Sequence, residues 1–211
     1  MRNYFQEFIG TFFLIFIGVG SIILNDNTGK ISNLFIGIIF GLTVMIIVCL
    51  FGHKSGAHIN PAVTIAFWVN GSFDGKKVLP YVVSQILGSV IASFFLYIFF
   101  NNPDTMGETL VKNKNWLQCL FLEIIITFLL MIVILNISVE SIKKRFYAGF
   151  LIGLVVTLGS IFVGPITGSS MNPARSIGPA FFGDTSYLLV YIFSTITGAN
   201  IAVYFKKAIG R

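Results

Sequence analysis

Charge is what this sequence has least of. Lys and Arg number 14 and Asp and Glu 8, so charged residues make up 10% of the 211, where a soluble globular chain carries about a quarter. That shortage excludes an ordinary cytosolic enzyme and an intrinsically disordered chain. The formal excess of +6 is dispersed through short connectors between apolar runs rather than gathered on one groove. Nucleic-acid binding is therefore excluded, and the pattern matches cations that orient a membrane protein. Cysteine is scarce as well. Cys49 and Cys119 both lie in apolar stretches, so no disulfide scaffold, metal site or cofactor is indicated, and both read as small buried hydrophobes. What the chain has is 55% hydrophobic residues, 23 phenylalanines and a mean hydropathy of +0.89.

The gaps between charges predict the architecture. A bilayer-spanning helix needs roughly 20 mostly apolar residues. Five such spans fall near 4–24, 32–51, 77–99, 146–163 and 186–205, and a sixth near 117–137 is interrupted only by Glu123. The polar run Asn25–Lys30 reads as the first turn, and no small-residue cleavage site precedes it, so the first span is not a cleavable signal. Two apolar pieces, Pro61–Val69 and Pro173–Phe182, are about half a span long, and each follows an Asn. Asn is a preferred N-cap and Pro suits the first helical position, so each Asn-Pro starts a helix. Such a half-helix can enter a bilayer only as a re-entrant segment buried in protein or lining a watery path.

The cations orient this arrangement. With the N-terminus cytoplasmic, Arg2, Lys54, Lys76, Lys77, Lys143, Lys144, Arg145, Lys206, Lys207 and Arg211 fall inside, against Lys30, Lys112, Lys114 and Arg175 outside. The expectation is an integral protein of the cell membrane with both termini cytoplasmic. The cluster Lys143-Lys144-Arg145 reads as an orienting loop, with lipid headgroup contact secondary.

The sequence also repeats. A shift of 112 carries Gly37, Gly41, Leu42 and Val44 onto Gly149, Gly153, Leu154 and Val156, and Gly56, Asn60, Pro61 and Ala62 onto Gly168, Asn172, Pro173 and Ala174. A shift of 116 carries Glu7 and Thr11 onto Glu123 and Thr127, and one of 110 carries Tyr81, Ser84 and Gly88 onto Tyr191, Ser194 and Gly198. Three spans per half is an odd number, so the halves must be inverted. The expected fold is an all-α membrane protein of six transmembrane helices and two re-entrant half-helices. It forms one channel domain over 1–211, with inverted repeats at approximately 1–100 and 117–211. Inverted repeats place the functional site near the midplane, at the discontinuous helices.

Each half-helix would point its N-terminus, worth roughly half a positive charge, at the membrane centre. Two such ends repel cations, hydronium included. Asn60 and Asn172 offer amide donors to a passing oxygen. Gly56, Ala57 and His58, and likewise Gly168, Ser169 and Ser170, precede the half-helices in extended form and expose carbonyl acceptors. Donors, acceptors and apolar walls in this order suit a polar, uncharged molecule in single file.

Gly52-His53-Lys54-Ser55-Gly56-Ala57-His58-Ile59-Asn60-Pro61-Ala62-Val63-Thr64 and Gly168-Ser169-Ser170-Met171-Asn172-Pro173-Ala174-Arg175-Ser176 resemble the two signature loops of the aquaporins, the major intrinsic protein family. Glu7-Phe8-Ile9-Gly10-Thr11-Phe12 and Phe40-Gly41-Leu42-Thr43-Val44 match as well. The resemblance spans nearly the whole chain. It implies a homotetramer with one pore per subunit, and a narrow filter at Phe40, Ser160, Ser169 and Arg175. Asn-Pro-Ala-Arg-Ser, with Ser176 and Ala180, resembles the water-channel branch. Tyr191-Ile192 match neither branch pattern fully, and Ser160 stands where orthodox water channels carry His. The expected function is a passive water channel that excludes protons and ions. A broader channel for glycerol, urea or ammonia is the alternative, and a coupled secondary transporter a remote one.

The other polar residues have competing readings. Glu7 and Glu123 are intramembrane acids, which mark ion paths by default; their symmetric placement reads instead as buried acceptors tying down the two loops. His53, Ser55 and His58 lack the third orienting group of a hydrolase, so His58 is expected to lend only its carbonyl. Gly37, Gly41, Gly149 and Gly153 have small-xxx-small spacing, which favours close helix packing.

Overall fold

The computed structural model describes residues 2–111, 115–137 and 139–210. Six long apolar helices cross the protein: α1 (Arg2–Thr28), α2 (Asn33–Phe51), α4 (Gly75–Phe99), α5 (Trp116–Leu135), α6 (Ile142–Phe162) and α9 (Leu188–Ile209). Two half-helices, α3 (Pro61–Val69) and α8 (Pro173–Ala180), re-enter from opposite faces, and a single turn, α7 (Gly164–Thr167), leads into the second. Six crossings leave both termini on one face, called here the terminal face; the other is the distal face. Among the described residues the fold is all helical.

The structure differs from the sequence reading in a few places. Helix α1 runs through most of the expected polar turn, to Thr28. The Thr28 hydroxyl donates back to the Leu24 carbonyl (2.6 Å) and Asn25 Oδ1 accepts from the Ile31 N–H (3.1 Å), so polar side chains cap the helix end in place of a loop. Helix α8 stops at Ala180 rather than Phe182, followed by Phe181 as its C-cap. Of the orienting cations, Lys112, Lys114 and Arg211 lie outside the described residues.

The two halves meet along α2 and α6. Gly41 and Gly153 face each other, and a Cβ on either would overlap the other's carbonyl oxygen. Without a hydrophobic drive between helices in lipid, such backbone-to-backbone approach is a main source of packing energy. The contact also repeats within the halves. Gly88 of α4 lies against the Phe8 carbonyl of α1, and Gly198 of α9 lies against the Ile124 carbonyl of α5, at the repeat-related position. The bundle is thus drawn tight enough to leave only a narrow path between its halves.

Candidate functional site

Asn60 and Asn172 cap their half-helices in the same way. Both have extended backbone (φ −157°, ψ 117° and 114°), and each Oδ1 accepts from the N–H two residues on, Ala62 or Ala174, at 2.9 Å. Their amide nitrogens cross the protein. Asn60 Nδ2 donates to the Met171 carbonyl at 2.8 Å, and Asn172 Nδ2 donates to the Ile59 carbonyl at 2.8 Å. The half-helix N-termini therefore meet end to end, each side chain tied to the opposite loop.

The loops before these caps are not simply extended. Gly56, Ala57 and Ile59 have φ of +88°, +47° and +44°, and Gly168, Ser169 and Met171 have +82°, +47° and +52°. Left-handed backbone is uncommon outside glycine, so something must hold it. Two buried carboxylates do. Glu7 Oε1 accepts from the Ser55 hydroxyl (2.7 Å) and the His58 N–H (3.0 Å), while Oε2 accepts from the Ile59 N–H (2.6 Å) and Gln85 Nε2 (2.8 Å). Glu123 does the same for the second loop, accepting from the Thr167 hydroxyl (2.6 Å), the Ser170 N–H (2.9 Å) and the Met171 N–H (3.0 Å). Tyr81 and Tyr191 add matching struts, their hydroxyls donating to the Ser55 carbonyl (2.9 Å) and the Thr167 carbonyl (2.7 Å). With the N–H groups turned to the glutamates, the carbonyls of Gly56, Ala57, His58, Ser169 and Ser170 meet no protein donor among the described residues.

Two cavities follow from this geometry. One, of about 160 Å³, runs past Gly56–Asn60 and Ser169–Asn172 between apolar walls that include Val44, Val63, Ile152 and Val156. Ile137 and Val139, from the α5–α6 connection, border it too. The other, of about 280 Å³, opens among Asn25, Asp26, Asn33, Thr105 and Glu108 on the distal side. The residues common to both walls are Phe40, Ser160, Ser169 and Arg175. Arg175 Cζ lies 5.7 Å from the centroid of the Phe40 ring, a cation–π distance. The guanidinium donates to the Gly107 carbonyl (2.7 Å) and the Gly168 carbonyl (3.5 Å). Ser169 Oγ and Arg175 Nε are buried there with no protein partner among the described residues.

A family model decides what this arrangement belongs to: that of the major intrinsic protein family matches residues 1–205. The chain belongs to the major intrinsic protein family. Like other members it is a membrane channel and not an enzyme. It is 42% identical to nodulin-26 of Glycine max over 202 residues, covering 94% of this chain and 74% of that one. It is also 35% identical to the glycerol uptake facilitator protein-like 6 of Lactiplantibacillus plantarum, covering 100% of this chain and 99% of that protein. The solved structure of the aquaglyceroporin from Plasmodium falciparum superposes with a TM-score of 0.88 at 27% identity, covering 99% of this chain and 96% of that one.

The channel's remaining singled-out residues sit apart. Ser55 is spent on Glu7, His53 lies in the turn after α2, and His58 Nδ1 pairs with the Thr64 hydroxyl at 3.1 Å, so the three form no nucleophile set. The His58 ring packs among Phe67, Phe73 and Tyr81 at centroid distances of 4.8, 4.8 and 5.2 Å. Cys119 is buried, whereas Cys49 is only half-buried; neither borders either of these two cavities. Sequence reasoning missed Gln85, Gly107 and Thr109. Tyr81 and Tyr191 carried a signal, since the repeat pairs them.

Proposed function

We propose that the chain is a passive channel for water that excludes protons and ions and leaks small neutral solutes. One observation carries this reading: the half-helix N-termini face each other with Asn60 and Asn172 between them, each side chain bonded across to the opposite loop. An amide nitrogen has two N–H donors. One is used in that bond, and the second is left for a passing oxygen, in a spot made positive by two helix ends. Water can exchange hydrogen bonds there and with the carbonyls of Gly56, Ala57, His58, Gly168, Ser169 and Ser170, while a cation is repelled at the two helix ends and at Arg175.

Phe40, Ser160, Ser169 and Arg175 form the selectivity filter in this reading. Two of its four walls carry only a hydroxymethyl group, so the opening is wider than one closed by an imidazole. A second reading, a broader channel of the aquaglyceroporin type, is favoured by those small walls, by a relative named as a glycerol uptake facilitator protein and by a structural neighbour named as an aquaglyceroporin. We also infer cytoplasmic termini in the cell membrane, one channel domain over 1–211 with repeats at approximately 1–100 and 117–211, and a homotetramer.

The test is osmotic response of proteoliposomes measured for water, glycerol and urea, with a pH gradient monitored in the same vesicles. Fast water flux with an intact gradient is expected, with slower entry of the solutes. Glycerol flux equal to that of water would favour the second reading, and gradient collapse would overturn both.

A further inference from the structure

The filter arginine is held by a segment with no regular structure. Residues 105–109 cross the distal face between α4 and α5, and the Gly107 carbonyl takes the shorter of the two hydrogen bonds from Arg175, 2.7 Å. Gly107 has φ +62°, and a Cβ there would press on Val19 at 2.8 Å, so both its conformation and its packing require glycine. The residue after it is the acid that fixes this shape. Glu108 Oε2 accepts from the Met106 N–H at 2.7 Å, closing the chain around Gly107. Glu108 Oε1 accepts from the Asp184 N–H at 3.3 Å, joining the segment to the connection after α8, the helix that carries Arg175. The carboxylate lies directly over Gly183, where a Cβ would stand 2.9 Å from it. One residue further on, the Thr109 hydroxyl donates to Ser176 Oγ at 2.8 Å, beside Arg175 in the half-helix. Thr105 Oγ1 anchors the near end to Asp26 at 2.8 Å.

We propose that Glu108 is a positioning residue of the channel: by clamping the backbone on either side of Gly107, it aims the carbonyl that holds the Arg175 guanidinium across the constriction. The inference rests on the reading of Arg175 as part of the filter. Glu108 borders the distal cavity but does not itself line the narrowest point. Its effect is therefore on which solutes pass rather than on whether the path exists. Loosening the Gly107 carbonyl lets the guanidinium swing aside, widening the opening for a molecule larger than water. Water, which already fits, gains little.

The experiment measures glycerol and water permeability in proteoliposomes for the full chain, E108A, E108Q, R175A and E108A/R175A, using protein with the native size-exclusion profile. E108A is expected to raise the glycerol-to-water ratio roughly three- to fivefold, the equivalent of about one hydrogen bond. E108Q keeps a carbonyl acceptor for the Met106 N–H but sets an amide NH2 against the Asp184 N–H, so it should shift the ratio clearly less than E108A. R175A should raise the ratio at least as far as E108A, and E108A should add nothing further in that background, because it acts through the arginine. A native ratio in E108A, with R175A shifted, would overturn the proposal while leaving the filter reading intact. A native ratio in R175A would remove the filter reading and the proposal with it. An E108Q shift as large as that of E108A would show that the Met106 bond does not aim the Gly107 carbonyl, and would overturn the clamp. A merely structural role for Glu108 would lower the thermal stability of E108A and leave the ratio unmoved.

Discussion

Asn60 and Met171 are joined across the middle of the protein, the Asn60 amide donating to the Met171 carbonyl at 2.8 Å. Asn172 returns the same bond to Ile59. The two loops therefore depend on each other for their caps, and a change in one Asn reaches both halves.

Replacing Asn60 and Asn172 by Asp puts a carboxylate oxygen against each of those carbonyls in place of a donor. Loss of each cross-bond should cost roughly 1–3 kcal/mol, seen as a lowered unfolding temperature in detergent. The added negative charge also offsets about half a charge at each helix end. Proton flux should rise relative to water flux in the folded fraction, measured with a pH-sensitive dye inside the vesicles. Proton flux unchanged in well-folded N60D/N172D protein would show that the helix ends do not form the barrier.

Mercury should distinguish a thiol in the path from one outside it. Cys49 and Cys119 border neither cavity, whereas Ser169 borders both, its Oγ buried without a protein partner among the described residues. Native protein should keep most of its water flux in mercuric chloride, and S169C should lose most of it, with recovery on adding a thiol reductant. Full block of the native chain would place a native cysteine in the path.

Ser160→His tests the width of the opening. The substitution sets an imidazole into a wall shared by both cavities, facing Phe40 and Arg175. Glycerol and urea flux should fall about tenfold, the rate equivalent of roughly 1.4 kcal/mol of added barrier, while water flux falls much less. Equal loss of water and solute would mean that these residues do not discriminate by size.

Glu123→Ala should act on stability before it acts on transport. It strands the Ser170 and Met171 N–H groups in a buried site, at roughly 1–3 kcal/mol for each unmet donor, and leaves the Thr167 hydroxyl only its longer bond to the Val163 carbonyl. Yield of detergent-stable protein should drop sharply. E123Q, which keeps one acceptor oxygen, should recover part of that loss. Normal yield from E123A would mean that the loop holds its shape without the carboxylate.

The six spans could be read from the sequence because lipid demands long apolar helices, and away from the helix ends only Glu7 and Glu123 interrupt them with charge. The half-helices could be read because Asn-Pro marks a start and the distance to the next polar run is too short for a crossing. Their observed starts, Pro61 and Pro173, are those the motif implies. Harder to read were features made by tertiary contact. Gly107 reaches Arg175 from 68 positions away, within a stretch that has neither helical nor strand periodicity. The non-glycine left-handed residues of the two loops also left no local mark, since Ala, Ile, Ser and Met are not residues that favour such backbone. Their conformation is imposed by Glu7 and Glu123 from other helices. The end of α1 was misread because Asn25 and Thr28 look like turn formers, yet they cap a helix that continues through them.

Ile59 shows what that imposed backbone implies. It is β-branched and sits at φ +44°, a conformation its side chain resists, and the 2.6 Å bond from its N–H to Glu7 keeps it there. The first loop is therefore under tension, like a bent strip pinned at one point. Its carbonyls face the cavity because of that pin, and their chemistry does not depend on which side chains the loop carries. Substitutions at Ala57 or Ser169 can then change the bore of the passage while the line of acceptors survives. A saturation survey of these two positions should find broad tolerance of polarity and sharp intolerance of residues, such as proline, that cannot take up the required turn.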